Sequence, residues 1–279
     1  MGRIKITVST VFFFVLHVWA LGVFFLPFAW KLVGAAAFLY VLRMFAVTAG
    51  YHRYFSHRTF QLGRVSQFLL AFLAQTSGQK GVLWWGARHR EHHRTSDRPE
   101  DVHSPIAHGL WTSHVGWVLD GAHDDYDPKA IADFAKFPEL VWLDRHHWIC
   151  PWTLGTLTFF AGRFLGWGGF ATLTWGFVLS TVALWHATFC INSLAHLWGT
   201  RRFDTPDRSR NNLLLALLTL GEGWHNNHHH YQGSCRQGLR WWEVDFTFYT
   251  LKVLSWVGLV RAIRTFPPQL MGRQGIARS

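Results

Sequence analysis

Charge is what this chain has least of. Only 15% of its 279 residues are Asp, Glu, Lys or Arg, against roughly 25% in a soluble domain. That excludes a water-facing surface over much of the molecule. Acidic residues are the scarcer kind: 16 Asp and Glu stand against 27 Lys and Arg, for a net charge of +11. Such an excess suits either nucleic acid or the cytosolic face of a membrane. Long apolar runs decide for the lipid bilayer, so no nucleic-acid partner is expected. Cysteine is scarce as well. Cys150, Cys190 and Cys235 are odd in number and scattered, which excludes a disulfide framework and a Cys-x-x-Cys metal pair. A reduced, cytosol-facing active region fits. A His-Glu-x-x-His motif is also lacking, so a zinc-hydrolase mechanism has no general base. No internal repeat or low-complexity segment is evident. The opening MGRIKI has no Ser or Thr at position six for myristoylation. Arg3 and Lys5 precede an apolar run, as in a signal peptide. No persuasive small-x-small cleavage site follows and a second apolar run comes at once, so the first reads as an uncleaved span.

Apolar and aromatic residues fill the space that charge leaves. Hydrophobic residues make up 49%, with 17 Trp and 24 Phe, a composition suited to interfacial belts and to a greasy ligand tunnel. Four segments approach the roughly 20 residues that a bilayer crossing takes: about residues 8–28, 32–50, 152–170 and 172–197. Pro27 and Lys31 mark a tight turn inside the first pair, and Gly166, Gly168 and Gly169 another inside the second. A fifth candidate, residues 65–85, has a clean apolar run only over 68–74. Gln75, Thr76, Ser77, Gln79 and Lys80 follow it and would leave polar groups in hydrocarbon. It reads as an interfacial or dipping helix. Residues 241–260 read as a membrane-lying helix, because Glu243, Asp245 and Lys252 interrupt them. The sequence therefore predicts an all-α integral membrane protein of four transmembrane helices in two hairpins. Residues 51–150 and 198–279 form a cytosolic, histidine-rich helical cap, and residues 1–279 make one domain. Arginine and lysine gather on the cap side, the positive-inside pattern. Arg43, inside the second run, is expected to snorkel to the interface.

Histidine is the polar residue in surplus, at 18 copies. HRYFSH holds His52 and His57; HREHH holds His89, His92 and His93; NSLAHLW ends on His196 and Leu197-Trp198; HNNHHH holds His225, His228, His229 and His230. Spacing i, i+3, i+4 puts three side chains on one helical face. It occurs at 89/92/93 and again at 225/228/229, so each face is expected to offer three nitrogens to a shared point. His52 and His57 emerge from the second span, one pointing from the helix and one from the loop. His196 projects from the end of the fourth. Nine imidazoles are too many for one metal ion and suit two. His230 lies off the shared face. His17 and His186, each alone in an apolar stretch, are expected to be satisfied packing residues. His103, His108, His114, His123, His146 and His147 are read as wet or as outer partners. Imidazole suits Zn, Cu, Fe and Ni alike. Asn192, four residues before His196, can hold a water in an open coordination position. Open positions point to oxygen chemistry rather than a closed structural site.

Taken in order, TAGYHRYFSH, HREHH, SHVGW, NSLAHLWG and GEGWHNNHHH resemble the membrane fatty acyl desaturases of the acyl-CoA Δ9 (stearoyl-CoA desaturase-like) type, over about residues 8–265. The resemblance implies four membrane helices, a cytosolic cap and a di-iron centre. It implies O₂-dependent removal of two hydrogens from an acyl-CoA chain. As ligands it implies His52, His57, His89, His92, His93, His196, His225, His228 and His229, with Asn192 acting through water. No fused cytochrome b5 motif is present, so electrons come from a separate ferredoxin, rubredoxin or cytochrome b5 type donor with its reductase. The stretch after the second box looks more like bacterial members, implying a bacterial inner membrane, or an endoplasmic reticulum membrane in a eukaryote. Arg88 stands before His89, where many animal relatives are acidic, so the handle on the acyl chain could be CoA, acyl carrier protein or a phospholipid headgroup. Glu91, Asp97, Asp101 and Glu222 are candidate outer partners of the imidazoles. The family's tunnel is closed at its far end. Tyr40, roughly 18 Å along the helix axis from His52, is expected to help plug it, with Trp85, Trp117 and Trp185 as walls. The alternatives are a hydroxylase on the same iron scaffold, a membrane metal transporter or sensor, and a b-type heme protein.

Overall fold

The structure is a computed structural model, and it describes residues 7–121 and 124–269. Arg3, Lys5 and His123 lie outside the described residues. The chain is mostly helical. Helices α1 (Val8–Ala20), α2 (Trp30–Ala46), α3 (Arg64–Gln75) and α4 (Val82–Thr95) come first. The short helices α5 (Pro105–Trp111), α6 (Trp117–Asp120), α7 (Ala132–Ala135) and α8 (Pro138–Arg145) follow. Next are α9 (Ile149–Phe164), α10 (Gly169–Thr172) and α11 (Ser180–Asn192), then α12 (Leu213–Leu218), α13 (His225–His230) and α14 (Phe246–Trp256). A two-residue antiparallel ribbon pairs β1 (Gln61–Leu62) with β2 (Val260–Arg261), Gln61 opposite Arg261.

Three π-helical stretches interrupt the α-helices, at Val47–Ser56, Thr112–Gly116 and Leu173–Leu179. The first continues α2, and the last joins α10 to α11. Among the described residues, two helices are therefore long and apolar enough to cross a bilayer: Trp30–Ser56 and Gly169–His196, of 27 and 28 residues. The apolar helix Ser9–Phe25 is shorter, and α9 has 16 residues. The 173–179 stretch sits centrally, with α1, α2 and α9 all packed on it. The stretch at 65–85 is not one helix: α3 ends at Gln75, Gly78 and Lys80 turn the chain through positive φ, and α4 starts at Val82.

Arg43 does not snorkel. Its side chain is fully buried and donates to the Thr181 and Ser180 hydroxyls at 2.6 and 2.5 Å and to the Leu39 and Phe177 carbonyls at 3.1 and 3.3 Å. A guanidinium fork can bridge two helices in this way where an ammonium cannot, and here it fastens α2 to the start of α11. His17 and His186 are not isolated either. His17 Nε2 lies 3.0 Å from His186 Nε2, His186 Nδ1 lies 3.0 Å from His114 Nε2, and His114 Nδ1 lies 2.9 Å from Ser193 Oγ. Each ring thus finds a polar partner, which is how these side chains tolerate an apolar setting.

Candidate metal centre

The second span delivers His52 and His57 because it changes helix type. In a π-helix, i→i+5 bonds replace i→i+4, and the His57 amide accordingly donates to the His52 carbonyl at 3.2 Å. Residues five apart then share a side, and the two rings stand 4.8 Å apart. Helix α4 is held at its N-terminus by Asp144, whose Oδ1 accepts from the Leu83 and Trp84 amides at 2.8 and 3.1 Å. Gly81 allows this, since a Cβ there would fall 2.0 Å from Asp144 Oδ1. Gly223 plays a similar part ahead of α13: a Cβ there would lie 2.1 Å from the Ala216 amide nitrogen.

The nine histidines expected as ligands form two groups. His52, His57, His89, His93 and His228 converge in one, and His92, His196, His225 and His229 in the other, each with ring nitrogens within 4.8 Å of one another. The i, i+3, i+4 triplets do not each serve one point. His89 and His93 turn one way and His92 the other; His225 and His229 share a group, and His228 leaves it. Positions i and i+4 differ by about 40° around a helix, whereas i+3 and i+4 differ by about 100°. The i+3 ring therefore diverges in both helices, which lie between the two groups. His230 stands apart, stacked on Phe203 at 4.0 Å.

Carboxylates orient four of the rings through Nδ1. Asp101 contacts His92 at 2.9 Å, Asp97 contacts His196 at 2.8 Å and Asp207 contacts His229 at 2.7 Å, while Glu222 pairs with His52. A ring whose Nδ1–H is given to a carboxylate turns a bare Nε2 inward. Three of these acids were expected. Asp207 was not: it sits in an irregular loop with no periodicity to flag it. Its other oxygen accepts from the Thr205 and Ser209 hydroxyls and the Ser209 amide. Among the described residues Glu91 meets no imidazole; it pairs with Arg88 at 2.9 Å. Arg53 braces the arrangement by reaching Glu222 at 3.1 Å and Asp245 at 2.9 Å.

Electrostatics keep six of the nine donors neutral, whereas at His92 burial is outweighed by Asp101, which raises that ring above its usual value. Burial, and then the neighbouring imidazoles, hold His57, His89, His93, His225 and His228 well below the usual histidine range. His229 is lowered to about 4 by burial, against the pull of Asp207. Burial alone would raise Glu222, but His52 and Arg53 outweigh it and leave the carboxyl below its usual range. His229 Nε2 is buried with no hydrogen-bond partner among the described residues. Neutral nitrogen lone pairs packed this closely suit a cation between them. Both groups could hold a metal ion, and the donor set fits iron among others.

A cavity of about 280 Å³ meets this centre, and Trp85, Trp117, Trp185, His89 and Asn192 are among the residues that line it. A smaller chamber continues past Trp85, His89 and Asn192 to His52, His225, Met44 and Thr219. Tyr40 lines neither; one turn from Met44, it donates its hydroxyl to the Leu218 carbonyl at 2.8 Å. His103, read as wet or as an outer partner, lines the large cavity and stacks on Trp117, and it approaches Asp101, the partner of His92, at 3.1 Å.

Clustered imidazoles at the ends of apolar helices, joined to a largely apolar cavity, fit the class that the family match shows, a membrane-associated oxidoreductase of lipid metabolism. Residues 27–253 match the family model described as fatty acid desaturase, and the chain belongs to that family. It is 37% identical over 271 residues to an sn-1 stearoyl-lipid 9-desaturase of Synechocystis sp., covering 95% of this chain and 83% of the relative. It is 36% identical over 269 residues to an sn-2 palmitoyl-lipid 9-desaturase of Nostoc sp., covering 94% and 91%. An acyl-CoA 5-desaturase of Anemone leveillei is 34% identical over 250 residues, covering 89% and 76%.

Proposed function

We propose that this protein introduces a cis double bond at the Δ9 position of a saturated fatty acyl chain, at a di-iron centre, using O₂ and two electrons. The convergence of two imidazole groups on one cavity carries the reading. A methylene C–H has no acidic proton and no leaving group, so side-chain acid–base chemistry cannot break it; bound iron supplies the oxidative chemistry. His52, His57, His89, His93 and His228 would hold one ion. His92, His196, His225 and His229 would hold the other, with Asn192 placing a water. The protein's own share is orientation and dryness: four carboxylates fix ring tautomers, and the aromatic cavity excludes water while it sets which carbons lie beside the ligands. The chamber lined by Met44 and Thr219 would receive the distal end of the chain. Tyr40, just beyond them and tied to Leu218, would form its floor.

Four apolar helices would cross the bilayer in two hairpins, α1 and α9 completing the two long ones, with the histidine cap on the cytosolic side. A bacterial inner membrane suits this arrangement, and electrons would come from a separate ferredoxin, rubredoxin or cytochrome b5 type partner. Both acyl-lipid and acyl-CoA substrates occur in the names of the relatives, and the lipid names at the highest identities weigh against the expected acyl-CoA. Expression in a desaturase-deficient host, followed by fatty-acid profiling with bond localisation, tests the reading. A Δ9 cis-monoene is expected; a hydroxylated product instead would move the protein to the hydroxylases. Tyr40→Ala is expected to shift the profile toward longer chains, and an unchanged profile would place the floor elsewhere.

A further inference from the structure

The large cavity forks. One limb passes Trp85 and the histidines into the small chamber. The other leaves through Phe12, Pro151 and Trp152 into a groove between α1 and α9. Phe12, Leu16 and Trp19 form its α1 wall at helical spacing, with Gly155 and Thr156 on the α9 side. Both helices run downward from the mouth, so the groove descends about 10–14 Å along them. Its polar surface is negligible beside its apolar surface. At its edge Trp152 is 67% exposed and Phe160 is 62% exposed, so it opens sideways, where a bilayer would lie against the helices.

We infer that the substrate is a diacyl glycerolipid taken from the bilayer, its reacting chain in the limb beside the histidines and its second chain in the α1–α9 groove. The inference rests on the desaturase reading and names the carrier. A single-chain thioester would fill one limb only. The mouth argues in the same direction. Coenzyme A brings several phosphates, but both cations lining the described cavity are already paired. Lys80 is bound to Asp124 and lies 4.4 Å from the centre of the Trp84 ring. Arg88 is held by Glu91 and donates to the Asp125 carbonyl. Unpaired donors do remain there: Arg88 Nε and Trp117 Nε1 have no partner among the described residues. Two N–H groups without a spare charge match ester carbonyls better than they match polyphosphate.

The test uses full-length protein in detergent, with Thr156→Trp as the variant. Thr156 is exposed, so the larger ring can enter the groove without disturbing the interior. Metal-loaded enzyme with a reduced donor is offered distearoyl phosphatidylcholine and stearoyl-CoA separately. The lipid is expected to be the better substrate by at least tenfold in kcat/KM, and Thr156→Trp to lower its turnover at least fivefold, mainly through KM. A second measurement needs no turnover. Metal-free protein is photolabelled with a phosphatidylcholine carrying a diazirine on its second chain. Adducts are expected within residues 149–164, reduced at least fivefold in the variant. Preference for stearoyl-CoA, or labelling unchanged by Thr156→Trp, overturns the groove assignment and leaves desaturation standing. Groove labelling that the variant abolishes, with no unsaturated product from either carrier, upholds the lipid site and removes the desaturase reading instead.

Discussion

Replacing Asp207 with Asn should loosen one metal site and spare the other. The carboxylate is committed on both sides: Oδ2 faces His229 Nδ1 at 2.7 Å, and Oδ1 takes donors from Thr205 and Ser209 at 2.9, 2.5 and 3.0 Å. An amide has one acceptor oxygen. If its NH₂ faces His229, two donors oppose each other; if it is turned over, the NH₂ meets the three donors of the loop. The first orientation frees the His229 ring; the second keeps its hydrogen bond but leaves Thr205 and Ser209 without an acceptor, so the loop that positions residue 207 gives way. Loss of such an outer partner typically lowers metal affinity 10–100-fold, about 1.4–2.8 kcal/mol. His229 belongs to the four-histidine group alone. Iron per protein, measured by mass spectrometry after dialysis against graded chelator, should fall in two steps. The first step should move to 10–100-fold weaker chelation while the second stays where the parent protein has it. Joint loss of both ions, or a curve like the parent's, would refute the assignment of Asp207 to one group.

The metal-free protein should lose stability as pH falls. Five imidazoles facing into the centre, buried or half-buried, have folded pKa values well below the usual 6.5, so below that pH the unfolded chain binds more protons. Stability then rises with pH and is fully present above the unfolded value; each ring removes up to about 1.4 kcal/mol per unit below it. A melting temperature flat between pH 7 and 5 would contradict their being held neutral in the folded protein. Arg43→Lys should be far from conservative, because one ammonium cannot reach the acceptors on both helices. Losing about two bonds to a charged donor costs roughly 3 kcal/mol or more, or about 6–12 °C in melting temperature in detergent, with metal stoichiometry unchanged. A shift below 2 °C would show that the bridge contributes little.

Much of the centre was legible because histidine is costly to place without a use, so its clusters stand out against an apolar chain. Spacing alone brought His89, His92 and His93 to one helix, but not the direction in which each turned. That depends on the angle of the helix to its neighbours, which only packing decides. Asp207 escaped notice because an acid in a loop has no period, and Glu91 misled because closeness in sequence favours it, while Arg88 is nearer in space. His17, His186 and His114 come together only when α1, α11 and the 112–116 stretch pack, over separations of 169 and 72 residues. The π-helical turn at Val47–Ser56 left no composition signal either, although it is what makes a five-residue spacing work.

His92 and His93 are successive residues, as are His228 and His229, and in each pair the two rings belong to opposite groups. The gap between the two imidazole groups is therefore spanned by single peptide units, twice over, from helices crossing the centre. Covalent geometry acts there as a ruler. Movement of the surrounding helices, or reshaping of the cavity, would carry both groups together and leave their separation as it was.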